Sequence, residues 1–534
     1  MTSRLHRIAA VIRADVLIRF RRPSTVVVFL LLSLFAYVWI PDPATGRALM
    51  QIAGRRAFYN SAAIGMATAS LASIFIGLVG FYVVSNAIKR DVLTRCGFVI
   101  ASTTMRSSEY VVGKFAGNLV FLATFVTGFM ITSMAMVVLR GEAPLEPLIF
   151  LEQYLLLVPP AIVLVSALAI TFESLPILRS RIGDVFYFFL WMFLLGLVAF
   201  LTEKNHPIGI ARYFDFSGFA FQLSQVQKLT GNPSIAIGAS PFDPSKGVFV
   251  FNGLQFDPEW LVPRIVSTFI PLLLLPVARL GFHRFDPSRV RKSGTGAKGS
   301  LLHRINLGVK RLVSPILRID RIGGGSGLQK ATRPTLARAA VADAWIAIAA
   351  QPWMLVVIAA LSIAALVSGA EGFFTTVLPL TFAAYAVAIA DVSTRERRAG
   401  TLSLVYGSPR LQEWFVAWKI AATLLIGGGF FAVAAVRIAF LRPSMLLPFA
   451  IGVLLVIAGA TSLAILSSNP KTFIVLFLIF WYMVMNSRGA SPALDFAGFY
   501  GVATPAVMAA YGAIAAGLLT VAFIFHGWRV RREG

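Results

Sequence analysis

One cysteine, Cys96, stands in 534 residues. An internal disulfide needs two thiols and a CxxC metal site needs a spaced pair, so both are excluded. The five histidines, His6, His206, His283, His303 and His526, are far apart in the chain, whereas the ligands of a metal site come together. Charge is scarce as well: 13% of the residues are Asp, Glu, Lys or Arg, and only 23 are acidic. Asp42, Glu142, Glu146 and Asp495 are scattered over separate segments, so no paired carboxylates and no nucleophile with its base are legible. Phosphate-loop spacing is absent too. "GTGAKGS" has the glycines and the lysine but not GxxxxGK[ST], and no apolar strand precedes it. No polar stretch is long enough for a nucleotide-hydrolysing domain. The N-terminus shows no short apolar core followed by a small-residue cleavage site, so no removable signal peptide is expected.

What the chain has in abundance is apolar length. Hydrophobic residues make up 57% of it, and 44 are Phe, a composition outside the range of soluble globules. About twelve charge-poor runs are each long enough to cross a hydrocarbon core of roughly 30 Å as a helix. They lie near 24–40, 62–86, 115–139, 150–172, 185–202, 261–280, 352–370, 372–390, 420–440, 444–467, 471–487 and 505–527. The 48 basic residues follow this topology rather than marking a nucleic-acid face. With the N-terminus inside, about 36 of them fall on internal segments, as the positive-inside rule requires. Both termini and the linker 283–338 are then expected to be cytoplasmic, where the basic residues also meet anionic lipid, and no nucleic-acid partner is expected.

The chain also repeats itself. "ADVLIRFRRP" (14–23) precedes the first apolar run and "ADAWIAIAAQP" (342–352) precedes the seventh. "KRDVLTRCGFVIASTTMRSSEYVVGK" (89–114) follows the second run as "DVSTRERRAGTLSLVYGSPRLQEWFVAWK" (391–419) follows the eighth. A gap-free shift of 305 positions places Arg90 on Arg395, Asp91 on Glu396, Thr103 on Ser408, Tyr110 on Phe415 and Lys114 on Lys419. The expected architecture is an all-α polytopic membrane protein of two parallel six-helix repeats: a first half at 1–282, a basic, Gly- and Ser-rich linker at 283–338, and a second half at 339–534.

Within the second polar stretch, Leu411, Trp414, Phe415 and Trp418 form one apolar stripe of a helix starting at Pro409, with Arg410, Glu413 and Ala417 on the other face. Ser408 is placed to cap it and Pro409 to open it. An amphipathic helix carrying two tryptophans belongs at a membrane surface. By itself the pattern fits a connector resting on headgroups as well as a docking element.

The run "RERRAGTLSLVYGSPRLQEWFVAWK" after two apolar crossings resembles the permease subunits of ABC-2 type transporters, here with two halves in one chain, as in a type V ABC exporter. The resemblance implies that this segment is similar to a coupling helix docking on an ATPase subunit. It implies that the amphipathic N-terminus, with Leu5, Ile8, Ile12, Val16 and Phe20 at helical spacing, is similar to an interfacial elbow helix. The ATPase-coupling candidates it implies are Arg90, Asp91, Thr103, Arg106 and Glu109 in the first half. In the second half they are Arg395, Glu396, Gly400, Ser408, Pro409, Arg410 and Glu413. The first half carries Cys96-Gly97-Phe98 near the place of Gly-Thr-Leu and no proline at its cap, which puts the two docking sites on unequal footing.

The implied function is an exporter's membrane subunit, multi-pass in a bacterial inner (cytoplasmic) membrane. It would move a hydrophobic or amphipathic substrate outward: a drug, peptide, lipid or polyketide-like molecule. This chain would bind no cofactor and catalyse nothing, with Mg-ATP held by two copies of a separate ABC ATPase subunit. A secondary transporter of the major-facilitator kind shares twelve crossings and a basic central loop, but the loop after its second helix is short and carries glycine and Asp. Ion-coupling residues are sparse, since Glu173, Asp184 and Arg437 lie near helix ends where they can reach the interface. A membrane-embedded lipid-modifying enzyme ranks last, for want of clustered carboxylates. The long segment 203–260 is expected to cap an exit path, bind an accessory protein or pack on the outer rim.

Overall fold

The computed structural model describes residues 2–533 apart from 22, 177, 180, 204–208, 232–233, 255–257, 287–307, 309–334 and 490. The linker's "GTGAKGS", His206 and His303 therefore lie outside the described residues. The chain divides into two compact units, Met1–Lys298 and Gly299–Gly534.

Each unit is built of apolar helices punctuated by proline and by side-chain caps. Helices open on Pro23, Pro147, Pro159, Pro258, Pro470 and Pro505, where the missing N–H costs no hydrogen bond. Asn60 caps the helix Ser61–Phe75 through Ala63 N–H at 2.8 Å, and Asn469 caps Pro470–Ser487 through Lys471 N–H at 3.1 Å. Among the described residues, eight helices are long and apolar enough to cross a membrane, and ten if each of two bent pairs is one span. One pair, Pro147–Leu157 and Pro159–Ser174, bends by 40° at Val158. The other, Leu336–Ala350 and Trp353–Val367, turns by 92°. The turn falls at Gln351, whose backbone is pushed out of the helical region by the proline that follows. The remaining two expected runs, 24–40 and 185–202, coincide with the shorter apolar stretches Val28–Trp39 and Gly183–Leu197.

In the first unit, residues Ser61 to Ser73 are buried without interruption. Their small side chains let neighbouring helices approach closely, the usual way apolar helices associate without a hydrophobic driving force. Their hydroxyls are satisfied locally or across helices: Thr68 donates to Ile64 O at 2.7 Å, Ser73 to Leu157 O at 2.9 Å, and Ser70 pairs with Gln222 at 2.8 Å.

At the far end of this helix sits a small sheet that hydropathy did not announce. Its strands are β1 (Arg47–Ile52), β2 (Arg55–Ala57), β3 (Ile235–Pro241) and β4 (Val248–Phe249), in the order β3-β1-β2-β4. Ala53 and Gly54 both have positive φ, 49° and 76°, as a two-residue hairpin between β1 and β2 requires. Strand β3 pairs antiparallel with β1 and β4 parallel with β2, so the segment 203–260 is stitched to the loop between the first two apolar runs. Its helix Phe219–Thr230 is likewise anchored: the buried Asp215 accepts the N–H of Phe221 at 2.9 Å, and buried Arg264 donates to Leu157 O at 2.8 Å and Leu156 O at 3.1 Å. The segment is a packed part of its unit.

Glu142 ties this sheet to the end of Ser107–Arg140. It takes a bidentate pair from Arg56 at 2.6 and 2.8 Å and the Tyr59 N–H at 3.0 Å. The hydrogen bond from Arg56 holds its carboxyl below the ordinary range. A carboxyl depressed in the folded state adds stability that is present above its unfolded pKa, about 4.3, and is lost as pH falls through the folded value. Protection of the Tyr59 amide, the slowing of its exchange relative to a free amide at the same pH, should therefore be high at neutral pH and fall only below about pH 4. Glu142→Gln should lower that protection at neutral pH and remove its dependence on this titration.

Candidate functional site

In each unit a buried ion cluster lies where the polar segment after the second apolar helix meets the helix that opens the unit. In the first unit Asp15, on the helix Thr2–Phe20, is fully buried. Arg19 reaches it at 2.8 Å from one turn away, Lys114 at 2.9 Å from Ser107–Arg140, and Arg90 from the short helix Ala87–Leu93. Lys114 also holds Asp91 at 2.8 Å, and Tyr110 donates its hydroxyl to Asp91 at 2.8 Å. Burial alone would raise the Asp15 carboxyl, but Arg19, Lys114 and Arg90 outweigh it and hold it below the usual carboxylate range.

In the second unit Asp343, on Leu336–Ala350, is met by Arg395 at 3.1 Å and Lys419 at 2.9 Å. Lys419, with no exposed side-chain surface, also takes Glu396 at 2.6 Å, and Arg395 lies 3.7 Å from Asp391. Arg90 and Arg395, Asp91 and Glu396, and Lys114 and Lys419, each 305 positions apart, thus occupy the same places in two clusters. The hubs Asp15 and Asp343 escaped the sequence reading as site residues. The signal that marks them is the Ala-Asp pair in "ADVLIRF" and "ADAWIAI". The clusters are not equal in charge. Among the ion pairs given above, the first sets three cations (Arg19, Arg90, Lys114) against two carboxylates (Asp15, Asp91), and the second sets two (Arg395, Lys419) against three (Asp343, Glu396, Asp391).

The other expected coupling residues separate into inward and outward groups. Arg90, Asp91, Arg395 and Glu396 spend their charge inside the unit. Glu109, placed by sequence on the docking face, is buried and pairs with Arg7 at 2.8 and 3.0 Å while accepting the Arg106 N–H at 3.0 Å. It locks the opening helix to Ser107–Arg140. Thr103 and Arg106 are exposed, and the Thr103 hydroxyl donates to Ile100 O at 2.7 Å. Gly400, with φ of +72°, ends the short helix Arg395–Ala399 in the left-handed region where a side chain is strained. Ser408 does not cap through its hydroxyl; its carbonyl accepts the Gln412 N–H at 3.0 Å. Pro409 opens Pro409–Glu413 as expected, and Arg410 and Glu413 are both exposed.

The expected single helix from Pro409 to Lys419 is interrupted at Trp414, after which Phe415–Leu441 begins. Its apolar stripe is nonetheless real. Phe415 and Trp418 are buried with Val416, Ile465 and Ala522, and Leu411 and Trp414 are half-buried. The stripe rests on the chain itself. Outside it, Leu404 is 78% exposed, and in the matching segment of the first unit Leu93 and Val99 are 74% and 67% exposed, apolar groups on the same polar segments as the exposed Arg410 and Glu413 or Arg106.

Glu173, expected to reach the interface, is instead buried and accepts three successive backbone N–H groups, Ala87 at 2.9 Å, Ile88 at 2.7 Å and Lys89 at 3.2 Å. It caps Ala87–Leu93 and fixes the first polar segment to the end of Pro159–Ser174. Asp495 is likewise structural, accepting from Tyr500 N–H at 3.3 Å and Val502 N–H at 3.0 Å. Arg437 reaches Ser368 Oγ at 3.2 Å and covers the Phe373 ring at 4.8 Å.

Among the described residues no group of three or more His, Cys, Asp or Glu side chains is placed to hold a metal ion. The first unit also has an apolar cleft between Pro23–Trp39, Ser61–Val84 and Ser107–Arg140, walled by Phe35, Phe75, Phe125 and Phe129. Phe35 and Phe75 meet edge to face at 4.4 Å. Comparison with protein families, with characterised proteins and with solved structures finds no match.

Proposed function

We propose that this chain is the membrane subunit of an ATP-driven exporter, with twelve spans in two parallel six-helix repeats and both termini in the cytoplasm of a bacterial cell. The reading rests above all on one observation. At positions equivalent under the internal repeat, each unit uses a buried carboxylate, arginine, carboxylate and lysine to bind its opening helix to the segment after its second apolar helix. Such a clamp makes the segment a rigid handle: force applied to its exposed side passes to three helices at once. Arg410, Glu413 and Leu404 in one unit and Leu93, Val99 and Arg106 in the other are the surfaces two ATPase subunits would grip. Mg-ATP binds to those subunits. The aromatic cleft offers no polar lining group, which suits a hydrophobic or amphipathic substrate.

The chain should copurify with an ABC ATPase subunit from its own cell. Hydrolysis should come only from that complex and should rise when hydrophobic substrates are added. The measurement is ATP turnover by the isolated chain, by the isolated ATPase and by the two together in lipid. Turnover by the isolated chain, or no association with any ATPase, would remove the reading.

A further inference from the structure

One carboxylate stands inside an apolar run with nothing to balance it. Glu152 lies two residues into the run 150–172, on the helix Pro147–Leu157. Among the described residues its carboxyl takes part in no hydrogen bond or ion pair. Glu173, by contrast, accepts three backbone N–H groups, and Asp15, Glu109 and Asp343 are each held by basic side chains. Helix geometry sets the surroundings of Glu152. Phe150, Gln153, Tyr154 and Leu157 form the buried face, with Phe150 and Gln153 against Gly65 of Ser61–Phe75. Leu148, Leu151, Glu152 and Leu155, at spacings i, i+3, i+4 and i+7, form the opposite face. The three leucines are 81%, 40% and 63% exposed, and Glu152 is half-buried. In a membrane span such a face meets acyl chains, where an ionised group without a counter-charge is costly and marks a functional site.

We propose that this face binds a protonated amine carried on an apolar body. The ammonium supplies the counter-charge that Glu152 lacks and donates a charge-assisted hydrogen bond to it, in surroundings of low dielectric that strengthen both. The apolar body covers the leucines. Depth favours such a molecule over an aminophospholipid. Glu152 is six residues past Glu146, about 9 Å along the helix from the last charge before the run, whereas a phospholipid carries its ammonium outside its own phosphate. The length of the face argues against a partner helix. It covers about two turns before the chain bends by 40° at Val158, and Pro159–Ser174 is buried almost throughout, so a second helix crossing the bilayer would find no continuing surface. The inference concerns binding and does not rest on the transport reading.

The test uses the full-length chain in phosphatidylcholine nanodiscs and two photoreactive probes of equal length, a diazirine-bearing alkylamine and the matching alkyl alcohol, with labelled peptides read by mass spectrometry. At neutral pH the amine should label the helix Pro147–Leu157 about tenfold more than the alcohol, the selectivity of one charge-assisted bond. A trimethylammonium analogue, which cannot donate a hydrogen bond, should label severalfold less than the amine; these comparisons need only the wild type. Glu152→Gln should bring the amine down to the level of the alcohol, and it should keep the wild-type thermal midpoint because the carboxyl holds no internal contact. Glu371→Gln, the loss of an exposed carboxylate elsewhere, should change nothing. Phosphatidylethanolamine added to the nanodiscs tests the lipid headgroup: displacement of the amine by equimolar phosphatidylethanolamine would make the headgroup the occupant and remove the assignment. A second chain held by the wild type and released by Glu152→Gln in native mass spectrometry would make the face a helix contact instead. Equal labelling by amine and alcohol, or amine labelling unchanged in Glu152→Gln, would overturn the site.

Discussion

Asp15→Asn is expected to abolish most folded protein, whereas Asp343→Asn, the same change at the matching position, is expected to be tolerated. The difference follows from charge arithmetic in two buried clusters of similar geometry. Losing Asp15 leaves Arg19, Arg90 and Lys114 facing Asp91 alone, three positive charges against one. Losing Asp343 leaves Arg395 and Lys419 facing Glu396 and Asp391, two against two. Breaking a buried pair so that charge is left uncompensated costs roughly 3–5 kcal/mol, while a balanced set that loses one hydrogen-bonding partner forfeits about 1 kcal/mol. The lysines should behave in the opposite order. Lys419→Met leaves Arg395 against three carboxylates and should be severe; Lys114→Met leaves Arg19 and Arg90 against Asp15 and Asp91 and should be mild. Combining Asp15→Asn with Lys114→Met restores the original excess of one positive charge and should recover part of the yield. Monodisperse fraction in detergent and thermal midpoint read the four single variants and the double. Equal effects of Asp15→Asn and Asp343→Asn, or no rescue in the double variant, would show that the charge imbalance does not govern these clusters.

How much of this was legible in the sequence depends on the distance over which each feature is encoded. The partnership of Arg90, Asp91 and Lys114 with Arg395, Glu396 and Lys419 was legible because it survives a gap-free shift. Asp15 and Asp343 lie 328 positions apart rather than 305, so their matching places in the clusters emerge only when the opening helix folds against Ser107–Arg140 or Phe415–Leu441. Glu173 looked like a residue reaching for the interface because sequence does not reveal that three N–H groups at 87–89 turn toward it. The sheet was invisible for a related reason: β1 and its partner β3 are separated by about 180 residues, and strands of two to seven residues leave no periodic trace. Hydropathy measures apolar length and not straightness. It therefore counted 150–172 and 352–370 as ordinary runs, although the chain bends inside the first, ahead of Pro159, and turns at the start of the second, ahead of Pro352. The inward stripe of Leu411, Trp414, Phe415 and Trp418 was legible from periodicity, but the interruption at Trp414 was not, since nothing in its side chain forbids a helix.

The polar stretch 409–419 should fail in two distinguishable ways, because its two faces serve different ends. Phe415 is 4% exposed and sits among Trp418, Ile465 and Ala522, so Phe415→Ala should cost about 3–5 kcal/mol, the range for emptying a buried aromatic site, and lower the folded yield. Trp414 is only half-buried, and Trp414→Ala should add less. Arg410 and Glu413 are exposed and hold no part of their own unit together, so Arg410→Glu with Glu413→Arg should leave insertion and thermal midpoint unchanged. If an ATPase subunit packs on this face, the reversal should weaken its binding by on the order of 2–5 kcal/mol, the range for interfacial charges left unpaired. In the first unit the corresponding reversal, Arg106→Glu with Glu109→Arg, is expected to fail as a folding defect, since Glu109 is buried and held by Arg7 at 2.8 Å. Arg106→Glu alone, on an exposed residue, is the variant that reads docking there, and a smaller loss than at Arg410 would mark the first handle as the weaker. Capture of the ATPase at matched membrane expression compares them. Undiminished capture by both Arg410→Glu with Glu413→Arg and Arg106→Glu would reduce these segments to connectors whose ion clusters serve folding alone.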